Sequence, residues 1–253
     1  MLSAVARWWR ERHRIPIPDT RWAALQGALP WVARLGGDER VRLRELAERF
    51  MRSKHIVGAG GLAVTADMRS LIAVQACLPI LNLGLDWYRG WYTVIVYPDD
   101  FIAPYEWTDE AGVVHEGERE LSGEAWPDGP VVLSWAETAA ELDGGTDGNL
   151  VIHEFAHKLD LLSGDANGSP PLHRGMSMRQ WSAVMGEAYQ RFCALVDADA
   201  ALPFDAYAAE DPGEFFAVTS ETYFIDPERL RRFDTALYAQ LDAFYRPSTA
   251  SPR

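Results

Sequence analysis

The sequence predicts an α+β fold, and three observations carry that prediction. Apolar residues recur at helical spacing over residues 19–52, two strand-type runs follow, and helical patterning returns after residue 149. Helices first, strands in the middle and helices last is the order of a segregated α+β architecture, not of alternating βαβ units.

The elements follow in order. Trp22, Leu25 and Leu29 share a helical face, as do Leu43, Leu46, Ala47 and Phe50. "VGAGGLAVT" (57–65) lacks the Gly-Lys-Ser/Thr ending of a phosphate loop and reads as a hinge or turn. Residues 68–81 read as a buried helix. "WYTVIVYP" (91–98) is β-branched and aromatic, bounded by Gly90 and Pro98, and reads as a strand; "GPVVLSW" (129–135) is a second. The polar, glycine-containing "TDEAGVVHEGERELSGE" between them reads as hairpin and loop. A helix starts after "DGGTDGN", capped by Asp147 or Asn149, and "SGDANGSPP" (163–171) closes that region with turn chemistry. Further helices are expected over 177–197, 212–224 and 227–245. The expected organisation is a helical N-terminal region, residues 1–60, ahead of a core, residues 61–253.

Composition narrows the function. The 253 residues are 48% hydrophobic and 11% aromatic, enough for a substantial core. A formal net charge of −13 argues against direct nucleic-acid binding, which needs clustered Lys and Arg. Two cysteines amid apolar residues, Cys77 and Cys193, suggest buried thiols in a reducing compartment. The N-terminus, broken by Arg7, Arg10, Arg12 and Arg14, lacks the apolar run of a signal peptide. Residues 71–85 are too short for a membrane span and contain Gln75, Pro79 and Asn82. The expectation is a soluble cytoplasmic protein.

The chemistry is concentrated in "VIHEFAHKLD" (151–160). On a helix, residues four apart share a face, so His153 and His157 can point at one ion. Imidazole nitrogens are good Zn²⁺ ligands, and Glu154, a third of a turn away, stands where a general base belongs. Zinc lowers the pKa of water towards ~7, which lets a carboxylate take its proton during attack on a carbonyl. A catalytic zinc needs a third protein ligand. The metzincin continuation, His-x-x-Gly-x-x-His, is excluded because Asp160 and Ser163 occupy the Gly and His positions. Asp160 lies on the histidine face but about 10.5 Å along the axis from His153, which suits a supporting partner better than a ligand. His13, His55, His115 and His173 have no recommending spacing and read as surface histidines.

"YAAEDPGEFFAVTSETYF" (207–224) offers the carboxylate. Asp211 reads as an N-cap with Pro212 at N1 and Glu214 at N3. Glu214 either completes a capping box or faces the motif helix as a ligand. Glu221, seven residues on, is a supporting residue or a rival ligand.

Taken together, "HEFAHKLD", "GEAWPDGPVVLSW", "LDWYRGWYTVIVYPDDF" and "DPGEFFAVTSETYF" resemble the Mlc titration factor A family, bacterial cytosolic zinc peptidases, over roughly residues 57–224. That family's core is similar to the protease domain of anthrax lethal factor, and both are gluzincins. The resemblance implies a gluzincin-like zinc metallopeptidase core, with His153, His157 and Glu214 as zinc ligands and Glu154 as the base. Tyr207, seven residues before Glu214, would assist the oxyanion. Lethal factor repeats a glutamate four residues after its ligand; here Val218 stands there, so support must come from elsewhere. The resemblance also implies aminopeptidase-type activity on a peptide substrate, binding to the Mlc glucose repressor, and presentation of the strand "PVVLSW" to an extended peptide. Core packing of Val131, Val132 and Leu133 explains that strand as well. Two rivals stand beside the peptidase. One is a regulatory protein that titrates a repressor, with peptidase activity incidental or controlled. The other is a structural zinc domain, disfavoured because such sites have four protein ligands, often Cys.

Overall fold

The computed structural model describes residues 15–108, 114–143 and 148–247. Three helices come first: α1 (Asp19–Ala28), α2 (Pro30–Arg34) and α3 (Gly37–Ser53). Pro30 explains the break between the first two, since it supplies no N–H and is suited to a first turn. A short strand follows, β1 (His55–Gly58), then α4 (Ala66–Cys77). The glycine-rich stretch is therefore strand at its start and turn afterwards. Thr65 caps α4, and Pro79 has no N–H to donate to the Gln75 carbonyl, which takes the N–H of Leu78 at 3.1 Å instead, so this helix stops at Cys77 and does not run to Leu81.

The strands are β2 (Thr93–Tyr97), β3 (Phe101–Thr108), β4 (Val114–Leu121), β5 (Gly123–Ala125) and β6 (Val131–Ser134). They form a four-stranded sheet in the order β1-β2-β6-β5 and a separate β3-β4 ribbon. β1, β2 and β6 run parallel, and β5 is antiparallel to β6. All four β6 residues are buried, as expected of a strand paired on both sides. This corrects one expectation: "PVVLSW" lies inside the sheet with its backbone taken by β2 and β5, so it has no free edge for a peptide. The edge strand beside β6 is β5, which lies in the stretch expected to be hairpin and loop.

The remaining helices are α5 (Trp135–Ala140), α6 (Leu150–Asp160), α7 (Met178–Asp197), α8 (Pro212–Ile225), α9 (Pro227–Phe233) and α10 (Thr235–Tyr245). The helix expected over 227–245 is two, because Asp234 ends α9 and accepts from the N–H groups of Ala236 and Leu237 to cap α10. One hydrophobic core runs from Ile17 to Tyr245. His55 is exposed, but His173 is not an ordinary surface histidine: it packs against Trp87 and Phe244 and bonds the Phe244 carbonyl. His13, Asp147 and the His115 side chain lie outside the described residues. Among the described residues, no helix is long and apolar enough to cross a membrane.

Candidate metal centre

Every residue of α6 from Val151 to Asp160 is buried, so a polar group on it without a partner inside the protein calls for an explanation. Asn149 caps its start, its Oδ1 accepting from Ile152 N at 2.8 Å. Phe155 sets its rotation. Halfway between the two histidines in sequence, it points to the opposite face, into Phe50, Tyr88 and Trp91 at ring distances of 5.6, 5.1 and 5.7 Å. With that face fixed, His153 and His157 turn towards α8.

The start of α8 brings up the carboxylate. Asp211 Oδ1 accepts from Gly213 N (2.7 Å) and Glu214 N (3.0 Å). Phe215 then packs on Tyr189 and Phe192, and Phe216 on Trp181 and Phe244, which locks the helix on both sides of Glu214. Glu214 Oε2 lies 3.0 Å from His153 Nε2 and 3.2 Å from His157 Nε2, and the two Nε2 atoms are 3.1 Å apart.

That convergence calls for a cation. A carboxylate can only accept, so at 2.6 Å His153 Nδ1 must donate to Glu221 Oε1. In the neutral ring this leaves a lone pair on Nε2, aimed at the anionic oxygen of Glu214. Burial presses the His153 pKa down, but its bonds to Glu214 and Glu221 outweigh that and hold it well above the usual value. Burial likewise pushes Glu214 up, yet both imidazoles hold it well below the carboxylate range. A proton is one answer to this arrangement and a metal ion the other. Ligands at ~2.0–2.1 Å in a tetrahedral zinc shell lie about 3.3 Å apart, close to the spacing of these three atoms. The donor set fits zinc.

The supports of the site are mostly long-range. Glu221 Oε2 also accepts from Asn149 N at 2.6 Å, and Asn149 Nδ2 donates to Gln75 Oε1, so the cap of α6 and the orientation of His153 share one buried network. Glu221 is thereby committed to His153 Nδ1 and is not a rival ligand. Asp160 turns the other way. Its oxygens accept from Gly168 N (2.6 Å) and Ser169 N (2.8 Å). The loop so held meets the start of α8 closely: a Cβ on Gly168 would lie 2.5 Å from Pro212 O, and one on Gly213 2.6 Å from Ala166 O. Asp160 thus braces the helix that carries Glu214. Among the described residues, His157 Nδ1 has no hydrogen-bond partner.

Glu154 is 4% exposed, and its Oε2 has no hydrogen-bond partner among the described residues. Burial pushes its carboxyl up to about 7 against the pull of His153 and His157. Tyr207 sits in a short 3₁₀ turn (Ala206–Ala209), its N–H held by Asp205 Oδ1 and its ring 6.1 Å from that of His153. A cleft of about 1250 Å³ opens over the site, bordered by β5 on one side and by Phe204, Tyr207 and Arg229 on the other.

Two imidazoles and a carboxylate converging beside a buried, unsatisfied glutamate form the donor set of a metal-dependent peptidase. Sequence comparison supplies the family: one described as glucose-regulated metallopeptidase M90 matches residues 5–246, and the chain belongs to it. The chain is 37% identical over 228 residues to Mlc titration factor A of Klebsiella pneumoniae, covering 89% of this chain and 86% of that protein. It is 34% identical over 242 residues to the protein of the same name from Cronobacter sakazakii, covering 94% and 91%. The Salmonella typhi protein of that name is 37% identical over 221 residues, covering 87% and 83%.

Proposed function

We propose that this metallopeptidase hydrolyses peptide bonds with a zinc ion held by His153, His157 and Glu214, Glu154 as general base and Tyr207 as oxyanion donor. The observation that carries the reading is the convergence of His153 Nε2, His157 Nε2 and Glu214 Oε2 within 3.0–3.2 Å, with Glu221 already occupying His153 Nδ1. When bound, the zinc ion polarises the scissile carbonyl and acidifies the attacking water. Glu154 takes a proton from that water on its unpartnered oxygen and delivers it to the leaving amine. The Tyr207 hydroxyl donates to the oxygen on which charge develops. The free edge of β5 offers backbone N–H and C=O groups to an extended peptide. The catalytic machinery lies within residues 61–253, and the helices α1 to α3 with the strand β1 serve as its support.

Tyr207→Phe is expected to lower kcat about 10- to 100-fold with KM within a factor of a few, read from steady-state kinetics. Unchanged kcat would remove Tyr207 from the mechanism.

The aminopeptidase form of the activity draws support from the cleft wall, where Glu120, Glu124 and Glu137 offer carboxylates to a substrate ammonium. Peptides with a free N-terminus are expected to be cleaved at least tenfold faster than the same peptides N-acetylated. Equal rates would point to an endopeptidase instead.

The relatives' name, Mlc titration factor A, describes proteins that titrate Mlc. We extend this to the chain as binding of an Mlc-type repressor in the cytoplasm.

A further inference from the structure

We infer that Gly123 is a positioning residue for the catalytic carboxylate: the side chain it lacks leaves the slot in which Glu154 lies. Gly123 begins β5 and pairs with Leu133 of β6. A Cβ built there would lie 2.6 Å from Leu150 Cδ1 and 2.8 Å from Glu154 Cδ, and closer still to Glu154 Oε1. Bonded atoms aside, carbons do not approach so closely. The backbone of Gly123 has no positive φ, so alanine is allowed by conformation. What calls for glycine here is the close approach of the Glu154 carboxylate and the Leu150 side chain to the strand.

Something must yield to an added methyl, and the surroundings decide what. The strand is held. Ser134 N donates to Ser122 O at 2.6 Å, and the register with β6 continues through Glu124–Val132 and Ala125–Val131. The turn beyond it is caged by Lys158, on the metal-binding helix, whose Nζ donates to Trp126 O (2.6 Å), Pro127 O (2.9 Å) and Gly129 O (3.2 Å). The same helix that carries Glu154 therefore anchors the strand that confines it. Glu154 is the looser party, because its Oε2 has no hydrogen-bond partner among the described residues to hold it. Gly123→Ala moves the carboxylate and leaves the metal ligands in place.

The inference rests on the reading of Glu154 as the base, and the experiment separates the two. Gly123→Ala is expected to lower kcat at least tenfold, with KM within twofold and the zinc content of wild type. In a Glu154→Asp background, where the shorter side chain withdraws from the methyl, the same substitution should cost less than twofold. Leu150→Ala added to Gly123→Ala removes the second clash; it should recover any lost thermal stability without recovering kcat. Wild-type kcat in Gly123→Ala, an equal fold-loss in both Glu154 backgrounds, or restoration of kcat by Leu150→Ala overturns the role. Glu154→Gln, measured alongside, separates the failures. An active Glu154→Gln protein would overturn the base and Gly123 together, whereas an inactive one beside a fully active Gly123→Ala protein would overturn Gly123 alone.

Discussion

Glu154→Gln is expected to lower kcat by at least about 100-fold while the protein keeps its metal, since a positioned general base contributes roughly 10²–10⁴ in rate. The amide is the same size as the carboxylate, so the slot beside Gly123 stays filled and α6 keeps its packing on Phe50, Tyr88 and Trp91. What is lost is the capacity to take a proton. Among the described residues no hydrogen bond joins Glu154 to either histidine, and His153 is oriented by Glu221 through its other ring nitrogen. Metal content should therefore equal that of wild type. The same protein separates catalysis from repressor binding: capture of an Mlc-type repressor should survive the substitution. Peptide cleavage at the wild-type rate would rule Glu154 out as base.

Glu214→Ala is expected to release the metal. Removing an outer partner of a metal-ligating histidine typically costs 10–100-fold in affinity. Glu221→Ala should fall in that range because it frees His153 Nδ1. Loss of Glu214 removes the proposed third ligand, which among the described residues is the one carboxylate that meets both Nε2 atoms, so its effect on zinc affinity should exceed that of Glu221→Ala. The helix itself should survive, since its start is capped by Asp211 and its packing comes from Phe215 and Phe216. Circular dichroism like that of wild type, together with zinc affinity at least 100-fold weaker in a chelator competition, is the expected pair of results. Affinity equal to wild type would exclude Glu214 as a ligand.

What was legible in the sequence is what local chemistry decides. The start of α6 at Asn149 and the start of α8 at Asp211 and Pro212 follow from capping signals within a few residues. The face shared by His153 and His157 follows from helical spacing. The parts that escaped are held by distant partners. β1 is a four-residue strand beginning a glycine-rich stretch, and it exists because Ile56 and its neighbours pair with β2 almost forty residues later. β5 reads Gly-Glu-Ala, with no strand preference of its own, and is a strand because β6 pairs with it. The capping-box reading of Glu214 failed for a similar reason: its carboxylate turns to the histidines of another helix. The division of labour between Glu221 and Asp160 was likewise invisible, since one reaches His153 and the other a loop at Gly168. Gly123 escaped together with β5: a glycine in a strand marks close approach by another group, but only the pairing with β6 makes this segment a strand.

The most direct test of the central claim is the zinc content and peptidase activity of one preparation before chelation, after chelation and after zinc is returned. The account predicts about one zinc per chain, activity that disappears with the metal, and recovery on adding one equivalent. Undiminished cleavage by the metal-free protein, or failure to bind zinc when it is supplied, would contradict it.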